Sequence, residues 1–175
     1  CIIDEAHDPA NRHPFKGNVD LAKLDALVSE KGADAIAYLS IAPCVNMAGG
    51  QPFSMANLRE VSTWANRYSI PIIFDATRAL ENCYFIQQRE EGYADQSIRA
   101  IFKELMSHGE GCTMSSKKDN LVNIGGFLAT NNEDFFVRAK EMVVVFEGLH
   151  TYGGMSGRDM EALARGIEEM IEDAH

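Results

Sequence analysis

Positive charge is scarce in this chain. Its 175 residues hold 16 Lys and Arg against 26 Asp and Glu, a formal charge of −10, with an isoelectric point near 4.9. A surface of this sign offers no basic stripe with which to displace counterions, which excludes nucleic acid as a partner. Cysteine is sparse as well: Cys1, Cys44, Cys83 and Cys112 are scattered, with no C-x-x-C pair. That excludes a disulfide framework and a zinc-finger pattern, and suits the reduced thiols of a cytoplasmic protein. No apolar run approaches the roughly 20 residues that cross a bilayer, so no membrane partner is expected. Internal repeats, low-complexity tracts and linkers are missing. None of His7, His13, His108, His150 and His175 stands in H-E-x-x-H spacing, and all five read as surface or loop residues. The content of 46% apolar and 24% charged residues is that of a folded domain, which excludes disorder.

What is present alternates between strand-like and helix-like stretches. Cys1–Ile3 reads as a short buried strand, Ile36–Ile41 as a second ended by Pro43, and Pro71-Ile72-Ile73-Phe74 as a third running into Asp75. Gly111–Met114 and Gly125–Thr130 read as further strands around the polar turn Ser115–Asn120. Helical spacing follows Asp20 (Leu21, Leu24, Leu27, Val28), Ser54 (Leu58, Val61, Trp64, Ala65), Ser97 (Ile98, Ile101, Phe102, Leu105) and Asn132 (Phe136, Ala139, Val143, Phe146). Ser156 or Asp159 starts a last helix, and Met155 and Met160 are most simply core. Apolar strands separated by helices predict an α/β fold whose mostly parallel sheet is covered on both faces. The polar residues just past the strands are then the ones to search for chemistry. The opening Cys1-Ile2-Ile3 lacks an initiator Met, and the closing Ile167–Glu172 keeps an amphipathic pattern to the end. Both ends read as cuts through regular structure, so a piece of a longer chain is expected.

Two constellations offer chemistry. Ile2-Ile3-Asp4-Glu5-Ala6-His7 has the form of a helicase Walker B segment, and Leu39-Ser40-Ile41-Ala42-Pro43 resembles that family's later Ser-Ala-Thr motif. There Asp4 would hold Mg²⁺ and Glu5 would activate water. The missing Thr, the acidic charge and the lack of an arginine-finger segment weigh against it, and a strand running into a charged loop explains the same letters. The second constellation is Asp75 at a strand tip with Lys117-Lys118 in a later Ser-rich turn. A carboxylate at a buried strand end needs a cation or strong donors, and Arg78 is the nearest cation. Two adjacent ammoniums repel, which moves a lysine towards the free amine that captures an aldehyde. A strand-end Asp with such a Lys is the minimal kit for pyridoxal phosphate: the carboxylate keeps the ring nitrogen protonated and the amine holds the aldehyde.

Longer matches carry a resemblance. Asn46-Met47-Ala48-Gly49-Gly50-Gln51-Pro52, Phe74-Asp75-Ala76-Thr77-Arg78, Glu81-Asn82-Cys83-Tyr84-Phe85-Ile86, Met114-Ser115-Ser116-Lys117-Lys118-Asp119, Val122-Asn123-Ile124-Gly125-Gly126 and Thr151-Tyr152-Gly153-Gly154 occur in this order. Together they resemble the β-eliminating lyases, pyridoxal-phosphate enzymes of the aspartate-aminotransferase fold type, over essentially the whole chain. The resemblance implies that residues 1–175 form one central segment of the large cofactor domain. It implies that Lys118 holds the cofactor and takes the substrate's α-proton, with Lys117 as an accessory lysine tuning protonation and water. Asp75 would face the ring nitrogen, Asn46 and Arg78 the 3′-oxygen, and Ser115 the phosphate. The Asn123 carbonyl would be one ligand of a monovalent cation of the K⁺ type between subunits. Tyr152 lies in a loop approaching the active-site edge.

Each residue has a plainer reading beside this one. Asn46 suits a turn before Gly49, Arg78 a structural partner for Asp75, and Ser115 and Asn123 turn positions. Tyr152 reads better as packing than as chemistry. Ser116 stands where phenol-releasing members often carry Gly, and His150 where a Pro is common. The implied reaction cleaves the Cβ–Cγ bond of an aromatic amino acid, giving phenol from tyrosine, or indole from tryptophan, with pyruvate and ammonia. The Val122–Gly126 stretch and Met160-Glu161-Ala162 are closer to the phenol-releasing branch. The resemblance also implies a cytoplasmic homo-oligomer, a dimer of dimers. It assigns the phosphate loop, the stacking aromatic, the acid tyrosine and the carboxylate-gripping arginine to segments outside this chain. A non-catalytic remnant of the same fold is the remaining alternative.

Overall fold

The computed structural model describes residues 1–172; His175 lies outside the described residues. The helical spacings become α1 (Leu21–Lys31), α2 (Met55–Arg67), α3 (Ala79–Arg89), α4 (Ile98–Ser107), α5 (Glu133–Glu147) and α6 (Gly157–Glu169). Asp20, Ser54, Ser97, Asn132 and Ser156 each accept a first-turn backbone N–H, so all but α3 begin at a side-chain cap. Ser156, not Asp159, caps α6. The sequence reading does not contain α3. Arg78 precedes it with no side-chain cap, so the usual start signal is missing.

The strands are β1 (Leu39–Ile41), β2 (Ile72–Asp75), β3 (Gly111–Ser115) and β4 (Gly126–Thr130), in that spatial order. β1, β2 and β3 run parallel, and β4 turns back antiparallel on β3. A helix fills each parallel crossover: α2 between β1 and β2, α3 and α4 between β2 and β3. The fold is therefore α/β with a mostly parallel sheet. Its topology puts the chain after Ile41, after Asp75 and after Ser115 at one end of the sheet. The turn between Ser115 and Gly126, which are paired in register, lies at the same end.

One side of the sheet is buried and the other is not. Ile41, Ile72, Phe74, Cys112 and Met114 form one core with Met55, Leu58 and Val61 of α2, Cys83 and Ile86 of α3, and Ile101 and Leu105 of α4. The alternate positions Ser40 and Thr113 are exposed and Ile73 is half-buried, because Ser and Thr bury too little apolar surface to hold a helix there. Coverage on both faces is thus corrected to coverage on one. The candidate strand Cys1–Ile3 is also corrected. Ile2 makes a single antiparallel bridge to Val19, and Asp4–His7 is a 3-10 turn. Asp4 is held by Lys23 at 2.5 Å. A Walker B aspartate needs a strand of the central sheet beneath it, so the helicase reading falls. Ala33–Ala35 forms a turn and only Leu39–Ile41 of the second candidate is strand. Met160, expected in the core, is 37% exposed.

Candidate active site

Register builds the site. Asp75 closes β2 opposite Thr113 of β3, so the residues two beyond each, Thr77 and Ser115, come side by side. The Thr77 hydroxyl donates to Asp75 Oδ1 at 2.6 Å, and the Thr77 backbone N–H reaches the same oxygen at 3.3 Å. The Ser115 backbone N–H donates to Thr77 Oγ1 at 3.1 Å. Ser115 then supplies its own hydroxyl to the next link, accepting from Lys118 Nζ at 3.1 Å. Asp75, Thr77, Ser115 and Lys118 form one connected chain at the carboxyl end of the sheet. The partner expected for Asp75 was Arg78; the structure gives it Thr77 instead. Arg78 ends the 3-10 turn Ala76–Arg78 just ahead of α3, and its side chain makes no hydrogen bond or ion pair among the described residues.

The turn carrying the lysines is held from several sides. The Ser116 N–H donates to the Gly125 carbonyl at 3.0 Å. Gly125 sits at φ +109°, where a Cβ would also meet the Met155 methyl at 2.7 Å, so the position requires glycine. Lys117 is exposed and Lys118 half-buried; the two neighbours therefore present their amines differently. Asp119 Oδ2 accepts the Leu80 N–H at 2.9 Å, fastening the turn to the uncapped start of α3. Burial is the main influence on Asp119 and pushes its carboxyl up to about 6, against the Leu80 bond and the Arg78 charge, which pull it down. Buried Ser116, the departure from glycine noted above, has no partner for its hydroxyl among the described residues.

The other sequence candidates lie around this end without joining the chain of bonds. Asn46 is exposed in the 3-10 turn Asn46–Ala48 that follows β1, and its carbonyl accepts the Gly49 N–H. Asn123 is exposed at a bend before β4. Tyr152 is 42% exposed. Thr77 and Asp119 carry structural weight at the site and received no role from sequence. The signal for Thr77 was its place two residues after a strand-end Asp, where a hydroxyl folds back on the carboxylate.

The sheet's carboxyl end thus gathers a carboxylate, two hydroxyls and an amine in an α/β protein. The chain belongs to the β-eliminating lyase family, whose model matches residues 2–174. Among similar proteins, each named tyrosine phenol-lyase, that of Symbiobacterium sp. (strain SC-1) is 63% identical over 172 residues, 98% of this chain and 38% of the relative. The Nostoc punctiforme protein is 62% identical over 174 residues, 99% of this chain and 37% of the relative. That of Pasteurella multocida is 57% identical over 171 residues, 98% and 37% respectively. This chain thus spans about three-eighths of the length of the curated relatives it matches.

The family is one of pyridoxal-phosphate enzymes of fold type I, and the residues present fit that group. Among the described residues neither Lys118 nor Asp75 is in an ion pair, and only Oδ1 of Asp75 is engaged. The amine and the second carboxylate oxygen remain for a ligand.

Proposed function

We propose that the chain is the central segment of a longer subunit, a pyridoxal-phosphate-dependent carbon–carbon lyase that cleaves tyrosine to phenol, pyruvate and ammonia. The observation that carries this reading is the bonded series Asp75–Thr77–Ser115–Lys118 at the sheet's carboxyl end. The 57–63% identity to proteins named tyrosine phenol-lyase favours tyrosine over tryptophan. When bound, the cofactor supplies an electron sink for the pair left at the substrate's α-carbon.

The chain's own residues do the rest. Lys118 Nζ would hold the cofactor and, as a free amine, would take the substrate's α-proton and hold it beside the Ser115 hydroxyl. Asp75, through its open Oδ2, would face the ring nitrogen and keep a proton there, because a carboxylate beside it favours the charged ring. Arg78, whose side chain makes no hydrogen bond or ion pair among the described residues, would supply a guanidinium, and Asn46 a donor, for the 3′-oxygen. Ser115 would also donate towards the phosphate, with exposed Lys117 as an accessory lysine beside the site. The Asn123 carbonyl accepts no backbone bond among the described residues and is offered as one ligand of a monovalent cation, the others coming from outside this segment. Residues elsewhere in the subunit select the aromatic ring.

A cytoplasmic, homo-oligomeric enzyme fits the free Cys44, Cys83 and Cys112, all buried, and the apolar surface left open on α5. Among the described residues no helix is long and apolar enough to cross a membrane. Incubating the subunit with pyridoxal phosphate and either tyrosine or tryptophan tests the reading by product. Phenol with equimolar pyruvate is expected from tyrosine, falling by about a thousandfold or more in Lys118→Ala, on the scale of a lost catalytic base. Indole as the principal product would replace tyrosine with tryptophan, and no pyruvate from either would overturn the reading.

A further inference from the structure

We infer that Thr77 is a positioning residue, its hydroxyl locking the Asp75 carboxylate in the one orientation that leaves Oδ2 for a cationic ring nitrogen. The inference rests on the function proposed above and adds a residue to it. A hydroxyl has a single proton to donate. The Ser115 N–H can only donate, and it points at Thr77 Oγ1 at 3.1 Å. The hydroxyl proton is therefore committed to Asp75 Oδ1, at 2.6 Å. The Thr77 N–H adds a second donor to the same oxygen at 3.3 Å. Both bonds reach Oδ1 and none of the described residues donates to Oδ2, so the carboxylate is asymmetric. One oxygen is tied to the fold and the other presented to a ligand.

Asp75 is exposed and would turn freely about its side-chain bonds in water. The hydroxyl bond to Oδ1 removes that freedom. Because Ser115 carries the hydroxyl that receives Lys118 Nζ, the same bond also sets the spacing between the carboxylate and the amine. Thr77 touches neither the cofactor nor the substrate, and acts through Asp75 and Ser115.

The test uses the holoenzyme with cofactor enriched in ¹⁵N at the ring nitrogen, whose chemical shift follows protonation of that atom at any level of activity. Thr77→Val keeps the shape and removes the two bonds of the hydroxyl, the one to Asp75 Oδ1 and the one from the Ser115 N–H, leaving only the backbone N–H on Oδ1. The expected results are a ring-nitrogen titration displaced by about one pH unit to lower pH and cofactor affinity weakened about tenfold, the size of one charge-assisted hydrogen bond. Thr77→Ser, which keeps donor and acceptor, is expected to titrate like the wild type. A wild-type titration in Thr77→Val, whatever its thermal stability, overturns the inference and leaves Thr77 a turn residue. Should Thr77→Val not fold, Thr77→Ser decides: a displacement as large as about one unit with the hydroxyl retained overturns it. If the unsubstituted subunit binds no cofactor, or binds it with an unprotonated ring, the proposed function fails first and takes this inference with it.

Discussion

Asn82 lies fully buried in α3, where an amide should be costly, and meets that cost through the backbone of Phe53. Its Oδ1 accepts the Phe53 N–H at 3.0 Å and its Nδ2 donates to the Phe53 carbonyl at 2.9 Å. The side chain thereby completes a strand-like pairing for a loop residue that has none. Asn82→Ala strands both groups of Phe53 in the core, and the expected loss is about 3 kcal/mol in a urea titration of the apoprotein; a loss below about 1 kcal/mol would contradict the account. The Glu81–Ile86 motif that marks the family is thus in part a packing device. At this scale the sequence was informative where a residue type is chemically unusual for its place: Asp75 at a strand tip, Lys118 in a Ser-rich turn. Thr77 stayed hidden because its role comes from the β2–β3 register, which sets it against Ser115 across 38 residues of chain. No local spacing encodes that register.

Among the elements, α3 and the lysine-bearing turn depend on each other. α3 has no cap of its own, and Asp119 provides one from the other side of the cofactor site by accepting the Leu80 N–H. The same absence of a cap kept α3 out of the sequence reading, while the five self-capped helices were legible from Asp, Ser or Asn ahead of an apolar period. Asp119 gives this joint a pH dependence. Burial raises its carboxyl from 3.8 to about 6, so the folded state holds the proton more tightly than the unfolded chain. The sign follows: the contribution of Asp119 to stability is greatest below about pH 4, falls as pH rises towards about 6, and is level above it. Allowing for the partial exposure of Asp119, the fall is about 2 kcal/mol. Asp119→Asn keeps an acceptor without a charge, and is expected to flatten this segment of the stability–pH curve in urea titrations between pH 4 and pH 8. Asp119→Ala loses the cap and is expected to cost about 1 kcal/mol at pH 4, where Asp119 is neutral. An unchanged slope in Asp119→Asn would show that another group governs it.

Over the whole molecule, burial is uneven in a way that matches its share of the relatives' length. The core between the sheet and α2, α3 and α4 is closed, but α5 has no buried residue, and Phe136, Met142, Val145 and Phe146 stand at least half exposed. Composition alone could not show this, since 46% apolar content fits a closed domain equally well; the expectation of a sheet covered on both faces failed for the same reason. Exposed apolar surface of this extent is what a segment presents when further protein normally covers it. The sheet end where Asp75, Thr77, Ser115 and Lys118 meet is complete within these residues, and that cluster is the centre of the account. Its most direct test is chemical. The subunit is incubated with pyridoxal phosphate, reduced with borohydride to fix any lysine adduct, digested, and its peptides weighed by mass spectrometry. The account predicts a single modified residue, half-buried Lys118, with exposed Lys117 untouched; modification of Lys117 instead, or of surface lysines indiscriminately, would contradict it.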